Sequence, residues 1–145
     1  MDKLLVILPP MLLDEAQLTT CYFTKDYEWI RFDDSTAYVG VCDFKLIGIT
    51  DIQKIELVIP ARDGKQGDLV ANIISEDYSI PVHMPVGGRF IESNQALISS
   101  PNTLLQSAQT SGWIIKIQPL LPYAAAELLD ESEYSKKQTR MKTSI

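Results

Sequence analysis

The chain holds one histidine, His83, and two cysteines, Cys21 and Cys42, in 145 residues. Two cysteines cannot build a metal site unaided, and a lone histidine would need partners gathered from elsewhere in the chain. Neither cysteine sits in a C-x-x-C pattern, so both are read as free, partly buried thiols of a reducing cytosol. Ser75, Ser79, Ser99 and Ser100 have no plausible base nearby in sequence, which leaves a nucleophilic triad unsupported. A basic excess is also missing. Thirteen Lys and Arg stand against nineteen Asp and Glu, for a net charge of -6. That argues against nucleic acid and against an anionic membrane surface, both of which require dense positive charge. An acidic face suits a protein partner with a basic docking surface, and it also keeps a small domain soluble. No apolar run reaches the ~18 residues of a membrane span. Gly87-Gly88 is too short and too poorly placed for a phosphate loop.

What is present is an ordinary globular composition, 46% hydrophobic and 22% charged, long enough for one domain with one core. Residues 1–21 are read as an N-terminal arm in which Leu4–Leu8 forms an extra strand packed on the domain; the Pro9-Pro10 pair and the lack of a clear cleavage site argue against export. Short β-type runs fill the middle. Residues 27–41 form a hairpin turning at Asp33-Asp34-Ser35. Asp43–Ile47 is a single helical turn with Asp43 near its cap. Strands are expected over 54–59, 69–75, 80–86, 89–93 and 113–117, with reversals at 76–79 and at Gly87-Gly88. The Pro81 and Pro85 run reads as an edge strand. Helix pattern enters only after Pro122 and runs to about Tyr134, with Glu127, Asp130, Glu131 and Glu133 on its exposed face. Residues 136–145 read as a flexible basic tail. Many short strands followed by one helix give a mainly β chain, α+β at its edges, folded as a sandwich or small barrel.

Several segments then appear in a telling order: Phe23–Trp29, Val39-Gly40-Val41, Gly67-Asp68, Pro85-Val86-Gly87-Gly88, Asn94–Leu97, Pro101–Leu104, Gly112–Ile117 and Glu127–Tyr134. In that order and spacing the chain resembles the glycine-cleavage H-protein family over about residues 22–135. The resemblance implies a lipoyl-domain-like barrel-sandwich hybrid with short helical turns and a C-terminal helix. It also implies a non-enzymatic carrier that swings a lipoyl-lysine between the enzymes of glycine cleavage. Within that fold Gly67 and Gly87-Gly88 are read as turn residues, Pro85 as the end of ladder pairing, and Trp113 as the large apolar plug of the core.

The chain departs from the family where the chemistry lies. The resemblance places the lipoyl lysine eight residues before Pro85, in the turn Ser75-Glu76-Asp77-Tyr78-Ser79. Asp77 occupies that place, and no lysine lies between Lys65 and Lys116. A carboxylate cannot form the amide that holds lipoate. Tyr27 stands where the family often has His, and Cys42 and Phe44 replace more polar residues. The expectation is an H-protein-like, non-lipoylated adaptor in the cytoplasm, with no cofactor and no catalytic residues. Its hairpin tip, Glu76, Asp77 and Tyr78, docks a protein partner, an enzyme of glycine cleavage or of lipoate metabolism. The alternative is a genuine aminomethyl and lipoyl carrier modified at an unexpected lysine; Lys54 and Lys65 stand away from the tip. Other chemistry finds little support. His83 reads as a surface or edge histidine, and Glu76-Asp77 as a solvated turn rather than a cation site.

Overall fold

The computed structural model describes residues 21–58, 63–120 and 128–144; the expected arm strand over 4–8 lies outside them. Among the described residues, eight strands form two antiparallel sheets. One holds β1 (Cys21–Phe23), β2 (Glu28–Asp33), β3 (Thr36–Val41), β8 (Ile115–Pro119) and β7 (Gly88–Ser93), in that order across the sheet. The other holds β4 (Ile52–Leu57), β5 (Leu69–Ser75) and β6 (Ser79–His83).

The expected hairpin over 27–41 is the β2–β3 pair, with Asp34 in the left-handed region at φ +56°. The helical turn over 43–47 is a short 3-10 helix, Asp43–Leu46, but its cap residue is Cys42 and no side chain caps it. The strand expected over 54–59 is β4 over 52–57, with a register shift between Ile52 and Lys54. The last strand lies two residues later than expected, and Ile114, ahead of it, is fully buried. Gly67 is the turn glycine it was read to be, at φ +89°. Gly88 instead opens β7, where a Cβ would stand 2.9 Å from Ile117 Cδ1 and 3.0 Å from the Gln118 carbonyl. Close approach of two strands, not a turn, excludes a side chain there.

Alternate residues of the two sheets face one another. Ile30, Val39 and Ile117 meet Ile55, Ile73 and Val82 in one apolar core. Each such side chain contributes about 1.5–3 kcal/mol by leaving water. β2 breaks the alternation because both its faces are covered. Ile30 faces the second sheet, while Trp29 lies on the outer side in a cluster with Phe23, Cys42 and Tyr134. Trp29 is the fully buried tryptophan, donating from Nε1 to the Ala108 carbonyl at 3.0 Å. Trp113, expected as the plug, is half-buried and meets Tyr38 edge-on at the rim of this outer cluster.

Among the described residues, three α-helices accompany the sheets. α1 (Gln95–Ser99) and α2 (Thr103–Ser107) were not expected; five residues are too few to show a helical period. Asn94 caps α1, its Oδ1 accepting from the Leu97 N–H. α3 runs Glu131–Ser144. Of the helix expected over 122–134, residues 121–127, Glu127 among them, lie outside the described residues, 128–130 are not helical, and 131–134 are. Leu129 is drawn instead into a bridge with Phe23, and the reciprocal pair Asp130–Glu133 starts the helix as a capping box. The segment after 135, expected to fray, continues the helix. Tyr134 stacks on Phe23 with ring centroids 4.2 Å apart, and Lys137 lies over Tyr27 at 4.4 Å. Those contacts dock α3 on the outer sheet face. No helix among the described residues is long and apolar enough to cross a membrane.

Cys21 and Cys42 are free. Burial pushes the Cys42 thiol up to about 12, with the Tyr134 hydroxyl beside it acting in the opposite sense. Cys42 is therefore expected to resist alkylation in the native protein at pH 8 and to label fully in denaturant. Equal native labelling of Cys42 and the half-buried Cys21, read by mass spectrometry, would contradict this burial.

Candidate functional site

Two places gather chemistry-bearing side chains, at opposite ends of β6. The first is the tip of the β5–β6 hairpin. From Ala71 to Ser75 the strand alternates buried and half-exposed residues, and Pro81 sits in the outer strand of its sheet, where a missing N–H is tolerated. The turn ties itself. The Ser75 N–H donates to the Tyr78 carbonyl at 2.9 Å, and the Tyr78 N–H donates to Ser75 Oγ at 3.1 Å. No side chain of residues 76–78 takes part in those bonds, so Glu76, Asp77 and Tyr78 are all presented to solvent, Tyr78 at 60% exposure.

Beside the tip lies the loop Gly48–Asp51, across a small cleft of about 70 Å³ lined also by Glu76, Asp77 and Tyr78. Asn102 fixes this loop: its Oδ1 accepts from the Ile52 N–H at 2.7 Å and its Nδ2 donates to Asp51 Oδ1 at 2.9 Å. Three carboxylates and one aromatic ring thus share one end of the molecule. Lys65 lies beyond the other end of β5, roughly 20 Å from the tip at ~3.3 Å per residue. Lys54 is nearer than its sequence position suggested. It pairs across the sheet with Ile74, one residue from the turn, and makes an exposed ion pair with Glu56.

The second place was not foreseen. Glu28 is 1% exposed, a buried carboxylate at the start of β2. Its Oε2 accepts from Lys45 Nζ at 2.9 Å, from the His83 backbone N–H at 2.8 Å and from His83 Nδ1 at 2.9 Å. His83 does lie on an edge strand, as expected, but it is tied to a buried charge rather than standing as an idle surface residue. The three residues are 17 to 55 positions apart in sequence, so no local pattern announces them. Charge-assisted bonds to every side of one oxygen make this an anchor between β2, the 3-10 helix and β6. Ser79, Ser99 and Ser100 join neither place.

Comparison with known proteins agrees with this architecture. The profile of the Glycine cleavage H-protein family matches residues 21–141. A glycine cleavage system H protein of Halothermothrix orenii is 32% identical over 114 residues, covering 79% of this chain and 89% of that protein. A probable glycine cleavage system H protein of Thermococcus gammatolerans is 36% identical over 117 residues, covering 79% and 87%. The crystal structure of a glycine cleavage system H protein from Mycobacterium marinum superimposes with a TM-score of 0.73 at 24% identity, covering 83% of this chain and 98% of that one, and so shares the fold. The chain belongs to the glycine cleavage H-protein family, whose members are carrier proteins rather than enzymes.

Proposed function

We propose that this protein is a recognition module built on the H-protein scaffold, and that it acts without a lipoyl group. The observation that carries the reading is the tip itself. Where the family's lysine is expected, the exposed turn presents Glu76, Asp77 and Tyr78, and no lysine lies anywhere from 66 to 115. A one- or two-residue shift in alignment does not restore one. The turn is nonetheless tightly tied and fully presented, as a docking element needs to be. Its partners are proteins that receive H-protein tips, enzymes of glycine cleavage or of lipoate metabolism, met through a basic surface that complements Asp51, Glu76 and Asp77. Two free thiols fit a cytoplasmic setting.

One observation favours a second reading. Lys54 stands opposite Ile74 at the tip end of β4, so a lipoyl group there would leave from nearly the same edge of the domain. Coexpression with a lipoyl ligase separates the two. The intact mass is expected to show no adduct, and peptide mapping to return Lys54 unmodified. A lipoyl group on Lys54 would replace the first reading with the second. The docking role has its own check. Replacing Glu76, Asp77 and Tyr78 together by alanine should abolish binding to the cognate enzyme in a titration, and unchanged binding would remove the tip from the interface.

A further inference from the structure

We infer that the cleft beside Glu28 is a binding site for one divalent transition-metal ion of zinc type, held by Asp26, Glu28 and His83. This inference does not depend on the tip or on the lipoylation state. One donor atom from each of the three residues lies within 4.8 Å of the other two. Donors on a single such ion stand at most ~4.4 Å apart, twice a bond of ~2.0–2.2 Å. Closing the difference needs a shift of well under 1 Å. Asp26 is the exposed member, on the turn between β1 and β2, and is free to supply it.

The buried member is already fixed. Glu28 Oε2 is occupied by Lys45 and by the His83 N–H, whereas Oε1 receives only a long 3.4 Å contact from the Thr24 hydroxyl. Oε1 is therefore the oxygen with lone pairs to offer, and the bonds to Oε2 hold it in orientation, as outer partners do around metal-binding carboxylates. His83 is half-open to solvent, with its side chain 31% exposed, so its ring reaches both Glu28 and the cleft. The cleft, about 140 Å³, lies against Thr24, Gln66 and Pro85 as well as the three donors, and leaves room for the waters that complete a coordination shell.

Asp26 and Glu28 balance Lys25 and Lys45, so an ion is selected here by the donor set rather than by net charge. Binding through Nδ1 requires the imidazole proton to sit on Nε2, so the ion exchanges the Nδ1–H···Oε2 bond for two metal bonds without net loss of a proton from neutral histidine. A mixed set of one imidazole and two carboxylates suits zinc or its first-row neighbours better than calcium or magnesium, which prefer oxygen alone.

His83 is the sole histidine of the chain, so its ring nitrogens can be followed without ambiguity. The test is a zinc chloride titration of the full chain, stripped of metal and of any tag, read by calorimetry and by the ¹⁵N shifts of the histidine ring. One equivalent is expected to bind and to move the Nδ1 resonance. Asp26→Asn, an exposed change that leaves the fold intact, should weaken binding at least ~10-fold, and His83→Gln should remove it. Zinc that binds without moving the His83 nitrogens, at Cys21 for instance, overturns the site. So does an unchanged affinity in Asp26→Asn.

Discussion

With Asp77→Lys the chain is expected to acquire one lipoyl group from a lipoyl ligase, where the natural sequence acquires none. The expectation rests on how the tip is built. Its turn is closed by Ser75 and Tyr78, through three backbone groups and the Ser75 hydroxyl, and residue 77 is exposed and takes no part in those bonds. A lysine there changes the local charge by two and adds a flexible amine, and it leaves the hairpin register untouched. The scaffold that presents the residue is therefore intact, and the substitution supplies an amine that residues 66–115 of the natural sequence lack. Intact mass after coexpression checks the result. An Asp77→Lys protein that stays unmodified would mean that the acidic surroundings, Glu76 and Asp51, have taken the tip beyond what a ligase reads. Docking to that class of enzyme would then fall with it. Modification of the natural sequence to the same extent would remove the basis of the adaptor reading.

The second large effect is structural and separates the two tryptophans. Trp29→Ala is expected to cost about 3–5 kcal/mol, a large share of the ~5–15 kcal/mol that holds a domain folded. The indole is fully buried, lies flat against Gly40 and satisfies the Ala108 carbonyl. A Cβ on Gly40 would stand 2.6 Å from the ring, so the two residues fit as a pair and no neighbour can refill the space. Trp113→Ala should cost less, about 1–2 kcal/mol, because that ring is only partly buried, at the rim beside Tyr38. Urea unfolding of both variants, with unchanged m-values, provides the comparison. Equal losses would show that the outer cluster shares its load differently from the packing described.

The two tryptophans differ in how their local pattern relates to burial. In Trp113-Ile114-Ile115-Lys116-Ile117 the alternation is plain, and it marked Trp113 as inward. Ile114 is buried ahead of the strand, so the strict period fails at the one place where the chain enters the sheet. Trp29 sits in a run whose burial follows no period, since β2 is covered on both faces. That second face is covered by Tyr134 of α3 and by the backbone at Ala108. The described part of α3 begins at Glu131, after the capping pair Asp130–Glu133 and the bridge of Leu129 to Phe23.

The sequence by itself determined the family, the strand-rich middle, the hairpin tip and the lysine missing from it. These rest on order, spacing and local alternation, which are properties of neighbouring residues. Tertiary structure alone decided which residues meet across the sheets. It brought Lys45 and His83 onto the buried Glu28 carboxylate, set Lys54 beside the tip, and sent Lys137 back onto Tyr27. The physical reason is that a buried charge and a docked helix are satisfied by whatever the fold delivers from a distance. That no lysine lies from 66 to 115 is legible without coordinates. The Glu28 anchor joins three distant residues, and only the folded chain assembles them.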